Sequence, residues 1–118
     1  MAATVITFPA ASIQLATTPG DTLYTCPLAT RARITMLSFL NTTANPRTVS
    51  VHLVRSGGAI GVTNQVWNAA AVPATATQPK GVVCYEAINQ VLNPGDFIKV
   101  FADAGTAITP VGSVVEFS

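Results

Sequence analysis

Arg33-Ile34-Thr35-Met36-Leu37-Ser38-Phe39-Leu40, followed after a short break by Thr48-Val49-Ser50-Val51-His52-Leu53-Val54, sets the fold class. The period is two, not 3.6. In the second run Val49, Val51 and Leu53 share one face and Ser50 and His52 the other, as in a half-buried strand. In the first run Ile34, Met36 and Leu40 fall on one face and Leu37 and Phe39 on the other, which predicts a central strand covered on both sides. Between them, Asn41-Thr42-Thr43-Ala44-Asn45-Pro46 carries turn residues and a proline that cannot donate to a ladder. The pair reads as an antiparallel hairpin with a loop of five or six residues.

Outward from this pair the pattern stays β. Thr4 to Phe8, Ser12 to Thr17, Thr22 to Cys26, Val82 to Ala87, Phe97 to Ala102 and Gly112 to Phe117 read as short strands. Pro19-Gly20-Asp21 and Pro94-Gly95-Asp96 each precede a strand. Proline presets φ at the second position of a turn and glycine takes the positive φ that follows. Eight or nine short strands and almost no helix signal predict an all-β chain, a two-sheet antiparallel sandwich of jelly-roll or immunoglobulin-like type. The length suits one domain over residues 1–118.

From Ser56 to Pro79 the sequence carries no charge. It is too apolar for a flexible linker and long for a structureless loop, so it reads as a contact segment with a short strand around Gln65-Val66-Trp67. Trp67 is either an interface anchor or part of the domain's own core.

Composition narrows the function. Six Lys and Arg and five Asp and Glu make the chain 9% charged against 49% hydrophobic, where soluble domains average about 25% charged. A monomer of this size exposes about 6,000 Å², so much of that surface must be neutral or apolar. A surface of that kind suits a chain covered by other protein. Arg31, Arg33, Arg47, Arg55, Lys80 and Lys99 are dispersed, which argues against a nucleic-acid partner. No apolar run is long enough for a membrane helix, and a transmembrane barrel would exhaust the chain. Residues 1–12 lack the basic start of a signal peptide, so Asn41-Thr42-Thr43 is treated as a chance match to the glycosylation tripeptide.

The residues offer little for catalysis. His52, the single histidine, shares a strand face with Ser50 only because alternate residues do, and no acid stands nearby in sequence to orient it. Cys26 and Cys84 read as two buried thiols, with a single bridge as the alternative. One His and two distant Cys form no metal-ligand cluster. Asp21 and Asp96 belong to turns, and Glu86 and Glu116 to strands; with Asp103 these are all the carboxylates, and nothing marks two of them as an acid–base pair. Ser56-Gly57-Gly58 lacks the ending of a phosphate loop. The expectation is no enzyme, no cofactor and no metal.

The run from Leu40 through Arg47-Thr48-Val49-Ser50-Val51-His52-Leu53-Val54-Arg55-Ser56-Gly57-Gly58 resembles small β-sandwich virion proteins of tailed bacteriophages. So do Val91-Leu92-Asn93-Pro94-Gly95-Asp96-Phe97-Ile98-Lys99-Val100 and Gly112-Ser113-Val114-Val115-Glu116-Phe117. The likeness spans about residues 31–118; in decoration proteins the segment before it is often an extended arm that adds a strand to a neighbour, which the resemblance implies for residues 1–12. It implies a capsid decoration protein or a fibre or tail component, located in the virion, acting as a homo-oligomer, commonly a trimer, against the major capsid protein or another virion protein. The contact residues expected on this reading are Val5, Ile6 and Phe8 in the arm and Val66, Trp67 and Val72 in the long segment. The alternative is a receptor- or carbohydrate-binding module, for which Trp67, Tyr24 and Tyr85 supply the Trp and Tyr rings. A small hydrolase has no supporting motif.

Overall fold

The computed structural model describes residues 2–9 and 13–118. They form two antiparallel sheets packed face to face. One contains β1 (Ala3–Phe8), β9 (Ile108–Phe117) and β3 (Arg31–Asn41) in that order, and β3 is then flanked by two short strands, β6 (Val82–Val83) and β7 (Val91–Leu92). The other runs β2 (Asp21–Thr25), β8 (Phe97–Ala102), β4 (Arg47–Val54), β5 (Gln65–Val72). The chain changes sheet at nearly every connection, and β4 to β5 is the one long-strand hairpin. With β6 and β7 counted as one interrupted strand, this is the order and alternation of a jelly roll, and not that of an immunoglobulin sandwich.

Two features of the decisive stretch differ from the sequence reading. β3 and β4 are not a hairpin. The loop 42–46 has the expected length, but it carries the chain from one sheet to the other. Asn41 holds this crossing: its side-chain amide donates to the carbonyls of Asn45 (2.7 Å) and Val72 (3.1 Å), and its Oδ1 accepts from Thr43 N–H. Nor is β3 buried on both faces. Its register against β9 slips between Ile34 and Met36. That bulge puts Ile34 on the same side as Leu37 and Phe39, all 0% exposed, and turns Met36 outward at 41%.

The core lies between the sheets. Leu23, Ile34, Leu37, Phe39, Val49, Val51, Leu92, Ile98, Val100, Ile108 and Val114 are buried within it. Both Pro-Gly-Asp turns form with glycine at positive φ, Gly20 at 90° and Gly95 at 85°. At Gly20 a side chain would also run into the Val100 carbonyl oxygen. Pro110 sits within β9 at no cost to the ladder. β1 ends at Phe8 opposite Gly112, so on that side Pro110 faces no strand among the described residues.

Several expected elements are corrected. Of the expected arm, residues 3–8 do not reach away from the domain: β1 pairs with β9 along its whole length, while Met1 and residues 10–12 lie outside the described residues. Residues 13–17 are not a strand. They bridge the sheets, Leu15 N–H donating to Ile108 O (2.8 Å) and Ala16 O accepting from Ala102 N–H (3.0 Å). The segment 82–87 is extended only at β6 and then turns at Tyr85–Ala87. The uncharged segment 56–79 is neither structureless nor a free arm, because β5 occupies eight residues of it on β4.

Candidate interaction surface

Register decides which side chains share the outer face of the β1–β9–β3 sheet. Val5, Val115, Arg33 and Val91 lie opposite one another across four strands and form one row. Beside it run Ala3, Phe117 and Arg31 on one flank and Thr7, Ser113 and Met36 on the other, with Val111, Ser38 and Val83 beyond. Of the seven exposed large apolar residues among the described residues, four, Val5 (69%), Met36, Val91 and Val111, belong to this one face. Among the described residues its charges are Arg31 and Arg33. Glu116 of β9 turns to the inner side, where it accepts from the Tyr24 hydroxyl.

The edge of the same sheet is open. Ala2 and Ser118 exchange both backbone hydrogen bonds. Pairs in an antiparallel ladder alternate, so Thr4, Ile6 and Phe8 point their N–H and C=O groups at β9. Ala3, Val5 and Thr7 therefore point theirs away from it, and no strand pairs with them among the described residues. Natural edges are guarded by charge, proline or a bulge. β1 has none of these within Ala3–Phe8.

The expected contact residues are dispersed by the fold. Val5 is on the open face. Ile6, Val66 and Trp67 are half-buried against the core. Phe8 and Val72 are corrected: at 2% and 1% exposed they belong to this chain's own core and have no surface to offer another. Phe8 is drawn in by its partner Gly112, whose missing side chain leaves room for the ring. Val72 ends β5 opposite Arg47. The rings named for a saccharide site do not converge either. Tyr24 is buried against Phe8 (5.8 Å between centroids), Trp67 packs on Phe39 (5.9 Å) and donates from Nε1 to Glu86 (2.8 Å), and Tyr85 stands alone in solvent.

Each of the five carboxylates accepts a hydrogen bond within the fold. Asp21 accepts from Ala16 N–H (2.8 Å), Asp103 from Thr48 N–H (3.2 Å), Glu86 from Trp67 and Glu116 from Tyr24. Asp96 is buried and accepts from Asn93 N–H (2.9 Å), Ser56 N–H (3.0 Å) and Arg55 Nη1 (2.7 Å). Burial alone would raise its carboxyl, but the two N–H groups and the guanidinium outweigh it and hold the group below the usual range. Burial and the Glu116 carboxylate push the Tyr24 hydroxyl far up. Cys26 and Cys84 are free thiols; burial raises both, Cys84 to about 11. His52 lies on the outer face of its sheet as its parity requires, yet it is 3% exposed. Asn64 Oδ1 accepts from the His52 Nδ1–H (2.9 Å) and from Gly61 N–H (3.1 Å), and Phe101 stacks on the ring. Among the described residues no three of His, Cys, Asp and Glu come together as metal ligands.

Comparison with family models, with characterised proteins and with solved structures finds no match. The surface's own chemistry is an apolar, hydroxyl-bearing face with two arginines and no acid among the described residues, bordered by a strand edge that no described strand covers.

Proposed function

We propose that this chain is a structural protein of a tailed-bacteriophage virion, a capsid decoration protein that binds the shell as a homo-oligomer. The observation that carries the reading is the clustering of exposed apolar side chains on the outer face of the β1–β9–β3 sheet, next to an unguarded edge. Apolar patches and free edges on a solitary protein invite aggregation; in an assembly they become contacts. Arg31 and Arg33 would meet carboxylates or backbone carbonyls of the capsid protein.

The edge also suggests how copies join. Two β1 strands related by a two-fold axis at Val5 would set Ala3 against Thr7 and Val5 against Val5. Every outward N–H would then find a carbonyl, and no like charges would meet. This favours pairs over the trimer that the family likeness implies. The test is co-sedimentation of the purified chain with assembled shells, followed by heating of the decorated shells. Binding that is lost in Arg31→Glu/Arg33→Glu and a raised shell-disruption temperature support the reading. Failure to bind any shell of the source phage, with the chain monomeric, overturns it.

A further inference from the structure

β5 departs from regular pairing as it passes Ser50. Val49 faces Ala70 and Val51 faces Trp67, so Asn68 and Ala69 together stand opposite one residue. Such a bulge bends the strand and re-aims side chains. Ala69 takes a φ of 50°, a region that alanine seldom uses. Its N–H leaves the ladder and donates to Ser50 Oγ at 3.0 Å. The distortion borders a recess of about 320 Å³ on the outer face of the β2–β8–β4–β5 sheet, a size suited to a small ligand.

The lining combines one aromatic surface with unused hydrogen-bonding groups. Phe101 lines it, its ring backed by His52 at 6.0 Å between centroids, with Ala69 and Ala102 beside it. Around it stand Thr17, Thr18, Thr48 and Asn68, whose side chains make no hydrogen bond among the described residues. Asp103 uses Oδ1 for Thr48 N–H, and its Oδ2 accepts no hydrogen bond among the described residues. A wholly apolar ligand would leave these groups unpaired at a cost. An anion would meet the one carboxylate, with no lysine or arginine in the lining to hold it.

We infer that this recess binds a neutral saccharide, with the apolar face of one sugar ring against Phe101 and its hydroxyls shared among Asn68, Asp103 and the threonines. The site does not depend on the shell-binding reading. It lies on the opposite side of the sandwich, so on that reading a decorated particle would display it outward.

The test is an amide NMR titration of the intact chain with D-glucose, D-galactose and N-acetyl-D-glucosamine, together with a glycan array. Saturable shifts confined to residues 17–18, 48–50, 68–69 and 101–103 are expected, weakened about tenfold or more by Asn68→Ala and by Asp103→Asn. Both variants alter exposed side chains, and their amide spectra report whether the fold is kept. Absence of shifts with all three sugars and of any array signal overturns the inference. So do shifts mapping elsewhere, or undiminished binding in both folded variants. Shell co-sedimentation is scored separately, so either assignment can fail alone.

Discussion

Val5→Pro separates the two sides of β1. The Val5 N–H points away from β9, so proline removes no hydrogen bond of the folded monomer. In a two-fold β1 pair the outward N–H groups of Ala3, Val5 and Thr7 on each copy would make six intermolecular hydrogen bonds, and the substitution deletes the two on the axis. At a net of about 1 kcal/mol each, the loss of about 2 kcal/mol weakens association by roughly 30-fold, and the ring crowds the facing strand as well. Light scattering after size exclusion, over a dilution series, reads the change in mass, and thermal melting reads the monomer. Ile6→Pro is the contrast, because its N–H faces Val114 and its loss should lower the melting temperature. If Val5→Pro associates as the wild type does, β1 is not the contact and the edge argument fails.

Asp96→Ala leaves the N–H groups of Asn93 and Ser56 without their acceptor, at about 2–5 kcal/mol of stability in denaturant melts. The Arg55 pair adds little, since that side chain is 70% exposed. The folded Asp96 carboxyl lies below its unfolded value of about 3.9; its contribution is complete above that value and lost as pH falls through the folded one, so acid sensitivity should shrink in Asp96→Asn. Gly112→Ala sets a methyl against the Phe8 ring and within 2.5 Å of the Met36 carbonyl oxygen. A loss of about 1–3 kcal/mol is expected, with faster hydrogen exchange along β1, and a neutral result would contradict the packing. Cys26 and Cys84, buried and protonated, should react with a thiol reagent only on unfolding; labelling of the native chain would contradict their burial.

What could be read from the sequence was whatever local chemistry decides. The Pro-Gly-Asp turns and the bounds of β8 depend on neighbours in the chain, and they form as expected; β4 keeps Val49, Val51 and Leu53 on the inner face, but its outer Ser50 and His52 are covered and the strand is not half-buried. What failed depends on distant partners. Alternation in β3 and β4 says that both are strands but not that they lie in different sheets. The bulge at Thr35 makes a one-sided strand look two-sided, and the bulge at Asn68-Ala69 erases the period by which β5 could be recognised. Phe8 reads as an arm residue in sequence because its pocket is a missing side chain at the distant Gly112. His52 has the outward parity expected, and only the fold brings Asn64 and Phe101 over it. The recess joins residues from four separate segments, and its local signal, an Ala-rich run holding one asparagine, reads as loop.

The most direct measurement is a cryo-electron microscopy image of a particle carrying this chain. Val5, Met36, Val91 and Val111 should lie against neighbouring protein, on the shell or on a second copy. The same four side chains facing open solvent, or no density for the chain on any particle, would contradict the account.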